Sequence, residues 1–204
     1  MLKLMVWRKP TMINVQLVSI TPNYMWLLQK AIGMCYQKSV GKKAVEHVIQ
    51  SGHLSVLEHC SATFELSCSI STLLQLTRHR HFSPTVQSSR GSELVDVHET
   101  GIAFLDALIA QVMEDYKYAV EEGCEHKEDA AYLLPKAAEY KLLITGNFRS
   151  WFEYLPKRMC KRAQKEHRQM AEMIQKELAK VAPEIFDRDF MNCESCKEKS
   201  CSFA

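Results

Sequence analysis

Apolar and polar side chains alternate in three stretches of the chain, and this two-residue period predicts β-strands. The stretches cover residues 13–17, 62–68 and 139–145. The third is the least distinct, because residues 142–144 are three consecutive apolar residues that fit a buried helix equally well. Residues 82–97 are rich in serine and threonine and are predicted to form a loop.

Apolar residues spaced three or four apart predict helices elsewhere, with glycine and proline near their ends. Two helices are expected over residues 23–37 and 42–51, the second stopped by Gly52, and a long one over residues 98–122. A short helix capped by Ser71 or Thr72 is expected to run into Arg78-His79-Arg80. A further helical region is expected from residue 147 to residue 182, bent near Pro156.

These elements predict an α+β fold in which helices pack around a small, mostly antiparallel sheet. The chain has 204 residues without an internal repeat or a linker, so we expect a single domain over residues 12–190. Residues 1–11 are interpreted as an N-terminal extension, and residues 191–204 as a cysteine-containing tail.

The charge balance argues against a nucleic-acid binder, because the formal net charge is only +2. No apolar run approaches the roughly 20 residues that cross a bilayer, so no membrane partner is predicted either. The N-terminus lacks the apolar stretch of a signal peptide. The 8 cysteines are therefore expected to be free thiols in a reducing, cytoplasmic compartment.

Three of the cysteines, Cys193, Cys196 and Cys201, lie in the tail. Three thiolates could begin a zinc site, but a closed structural site needs a fourth ligand. No histidine follows His167, so Cys160 or another subunit would have to supply it. A reduced tail is the favoured interpretation, and no metal site is predicted.

A first candidate cluster begins with Arg78-His79-Arg80 and continues, after seven residues, with Ser88 and Arg90. Guanidinium groups bind phosphate through paired hydrogen bonds, and N–H groups of the following loop can complete such a cradle. A plainer interpretation is equally open. The positive residues would then only complement the dipole at the end of a helix.

A second cluster, over residues 52–59, reads Gly-His-Leu-Ser-Val-Leu-Glu-His. Its two histidines and Glu58 do not have the spacing of a His-Glu-x-x-His metal helix. The polar residues after the glycine could instead orient a polar ligand. They could equally serve only to start the next strand.

A third cluster begins with Asn147 and Arg149 at a predicted helix start, where backbone donors favour an anion. Farther along come four charged residues that could form an ordinary solvated, salt-bridged face. These are Arg158, Arg162, Glu166 and Arg168.

Together the three clusters resemble the flavin-dependent thymidylate synthase family. The family hallmark of Arg-His-Arg, seven residues and Ser is matched from Arg78 to Ser88, and its Gly-His-x-Ser-x-x-Glu-His element is matched by residues 52–59. The later Asn-x-Arg-Ser motif, a downstream arginine and Ala-Gln-x-Glu are matched by residues 147–150, Arg158 and residues 163–166. Each motif is weak alone, but all three in order are specific.

The resemblance implies reductive methylation of deoxyuridine monophosphate (dUMP) to thymidylate (dTMP). Methylenetetrahydrofolate would supply the carbon, NADPH would reduce FAD, and the flavin would supply hydride. The resemblance also implies a homotetramer with active sites shared between subunits.

The family motifs also imply roles for individual residues. Arg158 matches the arginine that stabilises the ionised pyrimidine ring, so it is the expected catalytic residue and a nucleotide contact. The positions matching flavin contacts are Ser55, Arg78, His79, Arg80, Asn147 and Arg149. The positions matching nucleotide contacts are Gln75, Ser88, Ser89 and Arg90.

The chain departs from the family pattern at four positions. Val86 replaces a usual glutamate, Gly91 a tyrosine, and Ala131 an arginine that helps hold the nucleotide. Glu153 stands where asparagine or histidine is common, and Gln87 is a candidate substitute for the acceptor missing at Val86. Two alternatives therefore stay open: an FAD-dependent enzyme that modifies another pyrimidine nucleotide, and a non-catalytic nucleotide-binding relative.

Overall fold

The computed structural model describes residues 13–90, 92, 94, 96–191, 193, 196, 198, 201 and 202. The predicted N-terminal extension and Gly91 lie outside the described residues, as does much of the predicted tail. The proposed domain boundaries therefore stay predictions.

Four antiparallel strands form the sheet, in the order β1-β2-β4-β3. They are β1 (Asn14–Ile20), β2 (Ser61–Ser69), β3 (Phe82–Val86) and β4 (Glu139–Asn147). The central pair, β2 and β4, is in register along its whole length, from Ser61 opposite Asn147 to Ser69 opposite Glu139. The α+β prediction with a small antiparallel sheet is confirmed.

Eight α-helices join or cover the strands in the described part of the chain. They are α1 (Tyr24–Tyr36), α2 (Lys42–Gln50), α3 (Ile70–Leu76), α4 (Ala103–Tyr118), α5 (Lys127–Ala130), α6 (Phe148–Met159), α7 (Lys165–Val181) and α8 (Pro183–Phe186). A 3₁₀ turn at Leu54–His59 precedes β2, a π turn at Ala119–Gly123 extends α4, and a second 3₁₀ turn spans Ala131–Leu133. No described helix is long and apolar enough to cross a membrane.

One face of the sheet packs against α6 and α7 to form the main core. Phe64 of β2 meets Trp151 of α6 edge to face, with ring centroids 5.1 Å apart. The Trp151 indole also donates a 3.1 Å hydrogen bond to the carbonyl of Ala62. Burying such a side chain stabilises the fold by roughly 1.5–3 kcal/mol, so α6 is held firmly against β2.

Gly146 allows β4, β3 and α6 to approach one another closely. A Cβ atom at this position would overlap ring atoms of Phe82 and crowd the Trp151 indole. The next residue, Asn147, both ends β4 and caps α6. The strand therefore passes into the helix without a loop, and this junction fixes where the polar residues of α6 begin.

Three details of the predicted elements are wrong. Residues 82–86 are a strand rather than a loop. Among the described strands β3 pairs with β4 alone, so it is an edge strand and tolerates Pro84. Helix α3 is capped by Ser69 rather than Ser71 or Thr72 and ends at Leu76, so Arg78-His79-Arg80 follows the helix. Helix α4 begins at Ala103 rather than at residue 98.

The helical region from residue 147 to residue 182 is broken, but not near Pro156. Pro156 lies inside α6, which continues to Met159. The break follows, where Cys160 and Gln164 have extended ψ angles of 135° and 136°. This turn brings the first residues of α7 back toward α3.

Candidate functional site

His79 lies in the turn between α3 and β3 and faces the interior. The turn is held by two hydrogen bonds, from the His79 amide to the Leu76 carbonyl and from the Phe82 amide to the His79 carbonyl, at 3.0 and 3.1 Å. The half-buried imidazole packs edge-on against the Tyr154 ring of α6, with centroids 5.1 Å apart. Arg78 and Arg80 on either side are exposed, so the turn presents two cations to solvent and one imidazole to the core.

Arg158, near the end of α6, joins the first and third clusters. Its Nε donates a 2.9 Å hydrogen bond to Nε2 of His79. Its Nη1 and Nη2 donate to the side-chain and main-chain oxygens of Gln75, at 3.4 and 3.5 Å. The guanidinium of Arg158 is therefore held by two residues from a segment about 80 positions earlier.

The environment of His79 favours its neutral form. Burial lowers the pKa of His79 from 6.5 to about 4, with smaller contributions from the positive charges of Arg158 and Lys157. Near neutral pH the imidazole is therefore uncharged, and its Nε2 can accept a hydrogen bond from Arg158 Nε. A neutral acceptor holds the arginine without neutralising its charge.

A second histidine lies behind this pair. His167 of α7 is fully buried, and its Nε2 is 3.1 Å from the Tyr154 hydroxyl. Burial, followed by the charge of Arg158, lowers the pKa of His167 to about 3. The core beside Arg158 is therefore lined by the neutral imidazoles of His79 and His167.

A polar chain continues from Gln75 to the start of α7. Nε2 of Gln75 donates to Oε1 of Gln164, and Nε2 of Gln164 lies 3.5 Å from Oε2 of Glu166. The Glu166 carboxylate is buried and accepts hydrogen bonds from the amide and hydroxyl of Ser69, at 2.7 and 2.5 Å. Glu166 is thus no member of a solvated face.

Arg149 joins the second and third clusters. Its Nη1 lies 2.6 Å from Oε1 of Glu58 and its Nε 2.8 Å from Oε1 of Glu153. Asn147, at the helix start, accepts hydrogen bonds of 2.8 Å from the Ser150 amide and hydroxyl. Ser55 is exposed on the 3₁₀ turn that carries Glu58. A ligand that used Arg149 would therefore compete with two carboxylates.

The segment after β3 carries the predicted nucleotide contacts. Gln87 continues the pairing with β4, exchanging hydrogen bonds with the Lys141 carbonyl and amide at 2.8 and 3.2 Å. Its Nε2 also donates to the Ser92 hydroxyl at 3.0 Å. The carboxamide of Gln87 thus braces this loop. Ser89 is partly buried.

Ser88 and Arg90 shape the turn that follows. The Arg90 amide donates a 3.2 Å hydrogen bond to the Ser88 hydroxyl, and the exposed Arg90 side chain lies 3.7 Å from a Glu128 oxygen. Of the family departures, Val86 packs partly buried against the core and Ala131 begins the second 3₁₀ turn. Neither side chain can replace a charged contact.

The residues of the third cluster that were interpreted as a charged face divide into two kinds. Arg162 and Arg168 fit that interpretation, because they form ion pairs with Glu198 and Glu172 at 3.3 and 4.0 Å. Arg158 and Glu166 do not, since both face inward. Gln164 and Glu166 were not predicted as functional residues, although the Ala-Gln-x-Glu spacing was the available signal.

No described residues form a group of three or more His, Cys, Asp or Glu side chains able to hold a metal. Two open surface cavities, of about 530 and 510 Å³, lie along α7 and α1 and include none of the predicted site residues. Neither of these cavities therefore encloses the candidate residues.

Comparison with known proteins adds independent information. Residues 16–184 match the family model described as thymidylate synthase complementing protein. The chain is 31% identical to a flavin-dependent thymidylate synthase of Mycobacteroides abscessus, over 78% of this chain and 77% of the relative. It is 31% identical to a flavin-dependent thymidylate synthase of Nitratidesulfovibrio vulgaris, over 89% and 88%.

Solved structures share the fold. Thymidylate Synthase X from Helicobacter pylori, crystallised with FAD and dUMP, superposes with a TM-score of 0.79 at 24% identity, covering 86% of this chain and 98% of that one. PolB from Streptomyces cacaoi, a UMP/dUMP methylase bound to 5-Br dUMP, gives a TM-score of 0.75 at 20% identity, covering 87% and 94%.

Proposed function

Because the chain belongs to the flavin-dependent thymidylate synthase family, we propose that it methylates dUMP reductively to dTMP. The family resemblance inferred from the motifs is thereby confirmed. Methylenetetrahydrofolate as the carbon donor, NADPH as the reductant and FAD as the bound cofactor complete the proposal. The observation that carries it is the Arg158 guanidinium, which is held by His79 of the Arg-His-Arg motif and by Gln75, just before that motif.

The exposed cations fit a dinucleotide cofactor. Arg78 and Arg80 are exposed on the turn after α3, and within the described part of the chain neither forms an ion pair. They are therefore available to bind a pyrophosphate, which guanidinium groups recognise through paired hydrogen bonds. Ser55, His79, Asn147 and Arg149 complete the proposed flavin contacts. When bound, FAD supplies the hydride.

Arg158 is the proposed catalytic residue. Methylation without an attacking cysteine requires uracil C5 to become nucleophilic, so negative charge must be stabilised on the pyrimidine ring. Arg158 is a permanent cation in a fixed orientation, and such groups stabilise charge most where water is excluded. Its neutral partner His79 holds Nε and leaves the full positive charge available to the ring.

The nucleotide is proposed to bind along Gln75, Gln87, Ser88, Ser89 and Arg90. Ser88, Ser89 and Arg90 supply hydroxyl and guanidinium donors suited to a phosphate. Gln75 lies beside Arg158, at the pyrimidine end. Gln87 contributes by bracing the loop, because its carboxamide is already bonded to Lys141 and Ser92.

We further propose a cytoplasmic homotetramer with shared active sites. Neither of the two cavities encloses the site residues, and α4 exposes a row of large apolar side chains. Phe104 is 70% and Leu108 51% exposed, which is typical of a face covered by another subunit. A second chain packed there would bury these apolar side chains, as the proposed tetramer requires.

The experiment is a spectrum and an assay on the purified protein. Absorbance is recorded with and without dUMP, and dTMP is measured with methylenetetrahydrofolate and NADPH present. Flavin absorbance with dTMP formation supports the proposal, whereas flavin-free protein that makes no dTMP contradicts it. UMP is tested in parallel, because Val86 and Ala131 remove charged contacts and favour a different pyrimidine nucleotide as the second candidate. A colourless protein that binds nucleotide would indicate the non-catalytic relative.

A further inference from the structure

We propose that Glu166 is a positioning residue that fixes the orientation of the Arg158 guanidinium through Gln164 and Gln75. The proposal rests on the proposed role of Arg158. It concerns a side chain that touches neither the nucleotide-binding loop nor the exposed arginines.

Glu166 is anchored independently of the arginine. Its side chain is 3% exposed, and both carboxylate oxygens accept hydrogen bonds from Ser69, the residue that caps α3. Glu166 also lies in the first turn of α7, where the helix dipole favours a negative charge. The carboxylate is therefore a fixed point between β2, α3 and α7.

Three hydrogen bonds connect Arg158 to this fixed point, and in each the donor lies on the Arg158 side. Arg158 Nη1 donates to Gln75 Oε1, Gln75 Nε2 donates to Gln164 Oε1, and Gln164 Nε2 donates to Glu166 Oε2. A guanidinium has only donors and a carboxylate only acceptors, whereas each carboxamide has both. Because one end can only donate and the other can only accept, all three hydrogen bonds form in a single orientation of the two carboxamides.

The direction of the chain matters at Gln75. If its carboxamide were reversed, its NH₂ group would face the N–H groups of Arg158, and the two would repel. The repulsion would push the guanidinium away from Gln75 and so would also change its position against His79, to which its Nε is bonded. Glu166 thus ensures that Gln75 presents its oxygen to Arg158.

The first test is Glu166→Gln, which keeps the shape and replaces one acceptor oxygen with a donor NH₂ group. We expect kcat for dTMP formation to fall about tenfold to a hundredfold, the scale of a misplaced catalytic group. Bound flavin should change little, and the KM for dUMP should rise less than kcat falls, because the proposed phosphate contacts at Ser88, Ser89 and Arg90 are untouched. Glu172→Gln removes a charge from the exposed face of the same helix and should leave kcat unchanged.

The second test exchanges the two groups, combining Glu166→Gln with Gln164→Glu. The carboxylate then stands at residue 164, directly beside Gln75. Gln75 can again donate from its NH₂ group to this carboxylate and present its oxygen to Arg158. We expect the double variant to recover most of the lost kcat. Gln164→Leu interrupts the hydrogen-bonded series and leaves Glu166 in place, and it should lower kcat as Glu166→Gln does. It therefore tests the proposal independently if Glu166→Gln folds poorly.

A readout without turnover separates this proposal from the proposed function. Displacement of Arg158 should raise the pKa of His79 from about 4 toward 6.5, because part of the lowering comes from the Arg158 charge. NMR titration of labelled histidine follows this value in the purified protein, with the signal assigned by its absence from His79→Gln.

The outcomes are distinct. If Glu166→Gln and Gln164→Leu change neither kcat nor the pKa of His79, the positioning role is wrong. It is equally wrong if kcat falls but the exchanged variant recovers nothing, because Glu166 would then be only structural. If the wild type makes no dTMP while the pKa of His79 shifts in Glu166→Gln and returns in the exchanged variant, the proposed function fails and the positioning role stands.

Discussion

Glu58 accepts a 2.6 Å hydrogen bond from Nη1 of Arg149, a residue 91 positions farther along the chain. This contact joins the 3₁₀ turn before β2 to the first turn of α6, and Glu153 holds the same guanidinium from the other side. The predicted flavin-binding arginine is therefore engaged by two carboxylates. Glu153 stands at a position where the family resemblance leads us to expect asparagine or histidine, neither of which would form this second ion pair.

Glu153→Gln should strengthen FAD binding. The substitution removes one negative charge and the competing ion pair, which leaves Arg149 freer to turn toward a phosphate. Exposed pairs of this kind contribute about 0.2–1 kcal/mol, so we expect the dissociation constant to fall up to about fivefold. Fluorescence titration of the flavin-depleted protein measures it, with Glu172→Gln as the control. Weaker FAD binding in Glu153→Gln would show that Glu153 supports the flavin site.

Arg158→Lys should retain FAD and NADPH oxidation but lose most dTMP formation. Arg158 uses two different nitrogens for His79 Nε2 and Gln75 Oε1. A lysine presents all its donors from one nitrogen and lacks the planar two-pronged geometry. Loss of such a stabilising group should slow the chemical step by about a hundred- to a thousandfold. Single-turnover measurement of dTMP checks this. Near-normal product formation with flavin still bound would reduce Arg158 to a surface cation.

Arg78→Ala combined with Arg80→Ala should remove FAD. Both guanidinium groups are exposed on the turn after α3, and neither belongs to the core, so the fold should survive. The measurement is the ratio of flavin to protein after gel filtration, with circular dichroism to confirm folding. Lys161→Ala combined with Arg162→Ala removes two exposed cations between α6 and α7 and is the matched control. Full yellow colour in the first double variant would contradict the flavin assignment.

Acidification should destabilise the protein through His79. Its pKa is about 4 in the folded protein against 6.5 ordinarily, because of burial first and then the charges of Arg158 and Lys157. The unfolded chain thus binds more protons between these values, so stability is full above pH 6.5 and falls as the pH drops toward 4. One pH unit corresponds to at most about 1.4 kcal/mol for this group.

His79→Gln tests that dependence while its oxygen can still accept from Arg158 Nε. The free energy of unfolding by urea, measured at about pH 7 and about pH 4.5, should fall less in the variant than in the wild type. His167 is retained in both proteins, so the difference reports mainly on His79. An identical loss of stability in the two proteins would assign the acid sensitivity to other groups.

The active protein should be an oligomer that depends on α4. Phe104→Glu combined with Leu108→Glu places charges on its exposed apolar face and should lower both the mass measured by light scattering and the activity. Val181→Glu, at the end of α7, is a control for an added surface charge. A stable wild-type monomer with full activity would contradict the shared-site proposal.

Sequence patterns predicted the elements whose signal is local. Strands β1, β2 and β4 alternate apolar and polar residues, and Gly52, with a φ of 76°, follows the end of α2 where a stop was predicted. Strand β3 was missed because Ser83, Pro84 and Thr85 carry no apolar alternation. Its strand conformation comes from pairing with β4, which is distant in the sequence, and no local pattern within residues 82–86 predicts that pairing.

The site was predicted only as far as the motifs reached. They pointed to Arg158 and His79, and the family resemblance added Gln75. The structure brings these three side chains together, and their roles stay predictions. Glu166 was interpreted as part of a charged face because its neighbours in sequence are charged. It is held in the core by Ser69, 97 residues earlier, which supplies two of its three hydrogen-bond donors, with Gln164 as the third. A carboxylate satisfied by such a distant partner cannot be distinguished locally from a solvated one.

Helix α6 carries Arg149 near its start and Arg158 near its end, about two and a half turns apart. The two guanidinium groups therefore leave opposite sides of the helix, one toward Glu58 and the other toward Gln75 and His79. In a tetramer, the flavin-side arginine and the pyrimidine-side arginine of one α6 are expected to serve two different active sites. Two defective proteins, Arg149→Ala and Arg158→Lys, should then complement each other when their subunits are mixed, since some sites receive both intact arginines. If both arginines of one subunit served the same active site, every site would lack one intact arginine and mixing would restore no activity.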